Sequence, residues 1–250
     1  MGQLENKVAI VTGAGSGFGE GIARLYAQEG AKVVIADINI DAATRVAAEI
    51  GSAALALEVD VARRDQVDQL VQRCQRHFGT VDIIVNNAAI THKNQPMLDV
   101  DEAMFDRLFD VNVKSIYLMA QAALPVMRAQ GKGVILNIGS TAGIRPRPGL
   151  SWYNASKGAV NVLSKSMAVE LGPENIRVNA ICPVMGITGM FELFMGLPDT
   201  PENRAKFIST IPMGRFCTPA DVAAAAVFLA SDAADFITGI EFPVDGGRTV

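Results

Sequence analysis

Tyr153 and Lys157 stand four residues apart in Tyr-Asn-Ala-Ser-Lys, inside a stretch of helical period at 152–171. A helix there sets the phenol and the ammonium on one face. A phenol is a poor base near neutrality, with an ordinary pKa of about 10, and a fixed cation beside it favours the phenolate. Lys157 would supply that cation. Ser140 lies thirteen residues upstream, just past a strand expected at 134–138, where its hydroxyl could bond the same substrate oxygen and hold it for proton transfer. A Tyr and a Lys at this spacing also occur as plain surface pairs on helices, so the chemistry depends on what accompanies them.

The first companion is a glycine-rich turn, Thr12-Gly13-Ala14-Gly15-Ser16-Gly17-Phe18-Gly19, between a strand-like and a helix-like segment. Backbone N–H groups and a helix N-terminus would there face a pyrophosphate, and Gly13, Ser16, Gly17, Phe18 and Gly19 are the expected contacts. A second is Asp37, 18 residues after Gly19 at the end of the next strand-like run. Its carboxylate can accept both hydroxyls of an adenosine ribose and repels a 2′-phosphate. Its neighbours are Ala36, Ile38 and Asn39, with no Arg or Lys among them, so NAD is favoured over NADP. A solvent-facing acid that caps a helix beginning at Asp41 is the other reading of Asp37.

These groups need a frame. Strand-like runs at 7–12, 32–37, 53–58, 82–86, 134–138 and 176–181 alternate with helical segments at 17–29, 41–50, 65–78, 101–129 and 152–171. Near-continuous apolar strands between helices predict an α/β fold: a single Rossmann-type doubly wound parallel sheet with helices on both faces. Ligands then sit at the carboxyl ends of the strands. There is no linker, repeat or low-complexity tract, so residues 1–250 read as one domain. The segment 185–215 breaks the alternation and carries Met185, Met190, Phe191, Phe194, Met195 and Leu197. A stretch of that length predicts a lid or binding loop. Its apolar side chains favour a hydrophobic substrate over a sugar, although they could equally pack among themselves or at a subunit contact.

Composition narrows the partners. The chain has 22 Lys and Arg against 26 Asp and Glu, a formal charge of −4, with no basic stripe for a phosphate backbone, so nucleic acid is not expected. Cys74, Cys182 and Cys217 are odd in number and show no ligand spacing, which predicts neither a disulfide framework nor a metal site. The polar start at 1–7 is unlike a signal peptide, Asn6 stands where a myristoylation signal has Ser or Thr, and the apolar run at 222–230 is too short to span a bilayer. A cytoplasmic protein without membrane attachment is expected. His92 could rival the phenol as a base, but as a loop histidine it is expected to be solvated. His77 is expected to complement the C-terminus of its helix.

With Asn86-Asn87-Ala88-Ala89 after the fourth strand, Asn112 in Asp-Val-Asn-Val, and Ser140 before Tyr153, the set resembles the short-chain dehydrogenase/reductase family over essentially the whole chain. The resemblance implies an NAD-dependent oxidoreductase that moves a hydride between nicotinamide and a secondary alcohol or ketone. It implies a tetrad of Asn112, Ser140, Tyr153 and Lys157, with Tyr153 as acid/base, Lys157 also on the nicotinamide ribose and Asn112 helping to hold a relay water. It further implies that Asp60 contacts adenine beside Val61, that Asn87 lies along the cofactor ribose with Ala88 and Ala89, that Ile38 follows Asp37 in the site, that Pro183, Val184 and Gly186 are cofactor contacts, and that Thr188 meets the carboxamide.

The sequence departs from the family at two of these positions. Ala89 and Val184 stand where the family generally has Gly, and Val184 would narrow the pocket or alter nicotinamide seating. The C-terminal run at 239–247 matches a region that family members commonly place at a subunit interface, which implies a homotetramer. A 3-oxoacyl thioester reductase, a sugar dehydrogenase and a non-catalytic NAD sensor remain as alternatives.

Overall fold

Alternate residues of each strand point to opposite faces, and here both faces are apolar because both are covered. A computed structural model describes residues 2–186 and 191–250. Among them, β1 (Val8–Thr12), β2 (Lys32–Asp37), β3 (Ala54–Glu58), β4 (Ile83–Asn86), β5 (Gly133–Ile138), β6 (Ile176–Pro183) and β7 (Glu241–Val244) form one parallel sheet in the order β3-β2-β1-β4-β5-β6-β7. Ala9, Val11, Val33, Ile35 and Val85 face one apolar layer, and Val8, Ile10, Val34, Ile84 and Ile135 face the other. This is the doubly wound Rossmann-type sheet that the alternation predicts.

The first layer is covered by α1 (Gly17–Gln28), α2 (Ile40–Ile50) and α9 (Pro219–Ala230), and the second by α3 (Arg64–Phe78), α5 (Ser115–Gln130) and α6 (Ser151–Leu171). Between α1 and α9, the fully buried Tyr26 donates its hydroxyl to Ala226 O at 3.1 Å. Strand order reverses at β1, which pairs with β2 on one side and β4 on the other. The crevice for a ligand opens at the carboxyl ends of those strands.

Two segments differ from the sequence expectation. The helical run at 101–129 is divided into α4 (Glu102–Phe109) and α5 by a π-type turn, Asp110–Lys114, that contains Asn112. Such widened turns free a carbonyl and redirect a side chain. The segment at 185–215 is not a plain loop. It carries α7 (Phe191–Met195) and α8 (Pro201–Ile208), the latter started by Thr200, whose side chain accepts from Asn203 N, with Pro201 at the first helical position.

Candidate active site

Glycine shapes the turn after β1 for steric reasons. Gly13 has φ +61°, and a Cβ on it would lie 2.9 Å from Ala88 Cα. One on Gly19 would lie 2.3 Å from Gly13 O. The β1–α1 turn is thereby pressed against the turn after β4. Thr12 Oγ1 accepts from Asn87 N at 3.0 Å and from Ala88 N at 3.1 Å, and Asn87 Nδ2 donates to Thr12 O at 2.8 Å. The Asn87 donors are thus spent on holding the two turns together, while its Oδ1 accepts no bond among the described residues.

Along these turns runs a cavity of about 420 Å³. Its walls include Gly13, Ser16, Gly17 and Phe18 of the first turn, Asp37 and Ile38 after β2, Asp60 and Val61 after β3, and Asn87, Ala88 and Ala89 after β4. Ser140, Tyr153, Lys157, Pro183, Val184 and Gly186 complete the set of expected residues on the wall. Gly19 and Asn112 are not on it: the first packs beneath the turn, and the second lies behind Ile90. Thr188 and Met190 fall outside the described residues.

Asp37 serves the loop as well as the cavity. Its Oδ2 accepts from Gly15 N at 2.8 Å and its Oδ1 from Asn39 N at 2.9 Å. The helix-capping role falls instead to Asn39, whose side chain accepts from Ala42 N. Arg45 reaches the loop from α2 and donates to Gly15 O at 3.0 Å, but Glu20 holds the same guanidinium at 2.8 Å. Two fixed N–H bonds leave the Asp37 carboxylate oriented at the cavity wall. With the glycine cradle and the Ser16 hydroxyl, which makes no capping bond at the start of α1, this donor and acceptor set fits the ribose and pyrophosphate of a dinucleotide.

At the other end of the cavity stand the groups for proton transfer. Tyr153 and Lys157 are both buried on α6, and Lys157 Nζ donates to Ile138 O at 2.8 Å while lying 6.0 Å from the Tyr153 ring centroid. Burial pushes the phenol up to about 12, with the neighbouring Ser140 hydroxyl acting the other way. Burial also lowers the Lys157 ammonium to about 8, partly opposed by Cys182. Ser140 Oγ accepts from Ala142 N at 3.1 Å, which fixes its rotamer beside the phenol. Asn112 grips the turn after β4: Oδ1 accepts from Ile90 N at 2.9 Å, and Nδ2 donates to Ile90 O and to Ser156 Oγ, each at 3.0 Å.

Some wall residues escaped the sequence. Arg107 lines the cavity and pairs with Asp60 at 3.3 Å across 47 residues of chain, a contact no local pattern announces. Ile90 and Gly139 are also on the wall. Of the apolar side chains at 185–215, Met185 and Phe194 line the cavity, and the Phe194 ring meets Tyr153 edge-on at 5.4 Å. Phe191 and Met195 turn into the core, and Leu197 is exposed. His92 corrects an expectation. It is 2% exposed, with Nδ1 2.8 Å from Lys93 O, because the loop after Ile90 is folded under α7 through the Asn94 N–H bond to Leu193 O. Val184 is buried, its backbone lies outside the left-handed region that would demand Gly, and its N–H donates to Val244 O at 3.1 Å.

The three cysteines are free and buried, and no cluster of three potential metal ligands occurs among the described residues. No helix among them is long and apolar enough to cross a membrane.

A parallel doubly wound sheet with a glycine turn at its switch point defines a Rossmann-type oxidoreductase scaffold. The family model described as enoyl-(acyl carrier protein) reductase matches residues 13–249. The 4-formylbenzenesulfonate dehydrogenase of Comamonas testosteroni is 48% identical over 99% of both chains, and the galactitol 2-dehydrogenase of Agrobacterium fabrum is 42% identical over 98% of both. A crystal structure of 3-ketoacyl-(acyl-carrier-protein) reductase from Brucella melitensis complexed with NADH superposes with a TM-score of 0.94 at 48% identity, covering 99% of this chain and 100% of that one. The chain belongs to the short-chain dehydrogenase/reductase family.

Proposed function

We propose that the protein is an NAD-dependent alcohol dehydrogenase or ketone reductase whose substrate has an apolar body around a secondary carbinol carbon. The observation that carries this reading is the buried Tyr153, with Ser140 and Lys157 beside it, at one end of the cavity whose other end holds Asp37. Gly13, Ser16, Gly17, Asp37, Asp60 and Asn87 would hold the dinucleotide, which when bound would supply the hydride acceptor as NAD in oxidation and the hydride donor as NADH in reduction. Tyr153 Oη takes the hydroxyl proton in one direction and returns it in the other. Ser140 Oγ hydrogen-bonds the same oxygen. Lys157, whose ammonium lies 6.0 Å from the Tyr153 ring centroid, favours the phenolate as a fixed cation beside it.

Met185 and Phe194 favour an apolar substrate body, each buried methylene contributing about 0.8 kcal/mol. A buried sugar hydroxyl left without a partner costs about 1–3 kcal/mol. A panel at fixed NAD from 2-propanol to 2-octanol, with cyclohexanol, 1-phenylethanol and glucose, tests this. Rising kcat/KM with chain length is expected, and a preference for glucose overturns it. The Brucella neighbour favours a second reading, reduction of a 3-oxoacyl thioester. Turnover of an acetoacetyl thioester with NADH exceeding that of every simple ketone would select it.

The whole chain is read as one catalytic unit, with 185–215 as its substrate segment. A homotetramer is supported by apolar side chains left uncovered on one protomer, such as Val162 and Val169 on α6 and Phe236 and Val250 near the C-terminus; light scattering on the purified protein tests it. A cytoplasmic location is supported by the three free cysteines.

A further inference from the structure

Arg147 lies between β5 and α6, six residues before Tyr153, and is half-buried without a carboxylate partner among the described residues. Its guanidinium rests 5.5 Å from the Phe194 ring centroid and 5.1 Å from that of Phe207. Among the described residues, the one hydrogen bond of this side chain goes to Met195 Sδ at 3.1 Å. A thioether is a weak acceptor, and a guanidinium carries five donors. Two further arginines crowd the same place: Arg248 stands 4.8 Å over Phe207, and Arg145 donates to Arg248 O at 2.8 Å. The carboxylate beside Arg248, Asp245, is occupied by Gly247 N and by the N–H and hydroxyl of Thr249. Burial first, and then Arg248, push the pKa of Arg147 down. A half-buried cation with a cationic neighbour and no anion is costly, and a bound anion relieves that cost.

The position of this cation bears on the substrate. Phe194 is shared: its ring lines the cavity and lies 5.4 Å from that of Tyr153, with Arg147 5.5 Å away from the same ring. These two steps put the guanidinium no more than about 11 Å from the Tyr153 ring, behind Phe194 and off the cavity wall itself, so that a carbinol, an aromatic or alicyclic ring and an anionic group span the distance once the anion passes the edge of the Phe194 ring. We propose that the substrate carries a carboxylate or sulfonate across one apolar ring from its carbinol carbon, and that Arg147 receives the anion in exchange for its thioether contact. The pairing would be bidentate and charge-assisted, which a planar guanidinium suits. This deepens the alcohol dehydrogenase reading and rests on it for the identity of the reacting carbon.

The test compares 4-(1-hydroxyethyl)benzoate and 4-(1-hydroxyethyl)benzenesulfonate with the neutral 4-(1-hydroxyethyl)benzamide in the wild type, Arg147→Gln and Arg147→Lys. The wild type is expected to favour the anions at least tenfold in kcat/KM, and the relative rank of carboxylate and sulfonate identifies the preferred anion. Arg147→Gln should remove that preference, with a loss on both anions at least fivefold greater than on the benzamide, and Arg147→Lys should retain part of it. Equal kcat/KM for charged and neutral substrates in the wild type overturns the proposal. So does an equal loss on all three in Arg147→Gln, the mark of a residue that only pins α7. Calorimetric binding of 4-acetylbenzoate against 4-acetylbenzamide is read in parallel. An Arg147-dependent preference there supports the anion site even if no alcohol turns over, an outcome that would sink the dehydrogenase reading alone. Absence of preference in both readouts overturns the anion site whatever the turnover. Should Arg147→Gln fail to fold, the same comparisons on Arg147→Lys decide.

Discussion

Asn112 holds the peptide of Ile90 from both sides, accepting from its N–H at 2.9 Å and donating to its carbonyl at 3.0 Å. One side chain therefore replaces, for the turn after β4, the ladder partners the chain loses on leaving the sheet. Asn112→Ala strands the N–H and the carbonyl of the part-buried Ile90 and should cost about 2–3 kcal/mol in urea unfolding. NADH affinity should fall as well, because Ala88, Ala89 and Ile90 line the cavity. A change below 0.5 kcal/mol would show that water takes over both bonds.

Tyr153→Phe deletes one oxygen and leaves the ring packed edge-on against Phe194. Turnover should fall by about 10²–10⁴-fold, the usual range for a lost general acid or base, with NADH affinity within threefold of wild type. Stopped-flow hydride transfer and NADH fluorescence titration separate the two effects. Retention of a tenth of the wild-type kcat would remove Tyr153 from its role.

Lys157 opposes stability with function. Its folded pKa, about 8, lies below the ordinary 10.5, so between these values the folded protein binds fewer protons than the unfolded chain, and stability rises with pH across that window. Below it, the buried charge costs on the order of 3 kcal/mol. Lys157→Met relieves that cost but leaves Ile138 O without its donor, worth about 1 kcal/mol. The variant should melt higher than wild type at pH 7, lose the advantage by pH 10, and be nearly inactive throughout. Calorimetry at the two pH values checks it; a lower Tm at pH 7 would mean that the ammonium is a net stabiliser.

Asp37→Asn keeps an oxygen for the part-buried Gly15 N–H, gives up the exposed bond from Asn39 N, and removes the charge that repels a 2′-phosphate. The ratio of kcat/KM for NAD over NADP should drop at least tenfold, with little change in Tm. An unchanged ratio would place cofactor choice elsewhere, with Arg45 the nearest cation to the loop.

What could be read from the residues were features with a local cause. Six strands were legible as apolar runs between helical segments, whereas β7, Glu-Phe-Pro-Val with no buried residue, was not among them; the glycine turn was legible because Gly13 needs a positive φ between a strand and a helix. The glycine turn, Asp37 and the family resemblance together pointed to much of the cavity wall but not to Arg107, Ile90 or Gly139, and two of the expected residues, Gly19 and Asn112, support the wall from behind. Illegible were relations set by distant packing. The break in the 101–129 run follows from Asn112 reaching Ile90, 22 residues away. The inward turn of Phe191 follows from rings at Phe207 and Phe216, the latter 5.8 Å from it. Arg107 beside Asp60 and the burial of His92 belong to the same class.

The hydrogen bond from Tyr26 to Ala226 also orders events on the ribosome. α1 is made before the surface that covers it, α9, which follows 200 residues later. Until then α1 presents Ile22, Ala23 and Tyr26 without their lid, beside an edge of β1 that waits for β4. The nascent chain thus carries a sticky, half-dressed N-terminal module through most of its synthesis, the state in which chaperones engage and aggregation begins. Stop codons or cleavage before 219 should therefore yield insoluble fragments even though every catalytic side chain named above is present in them.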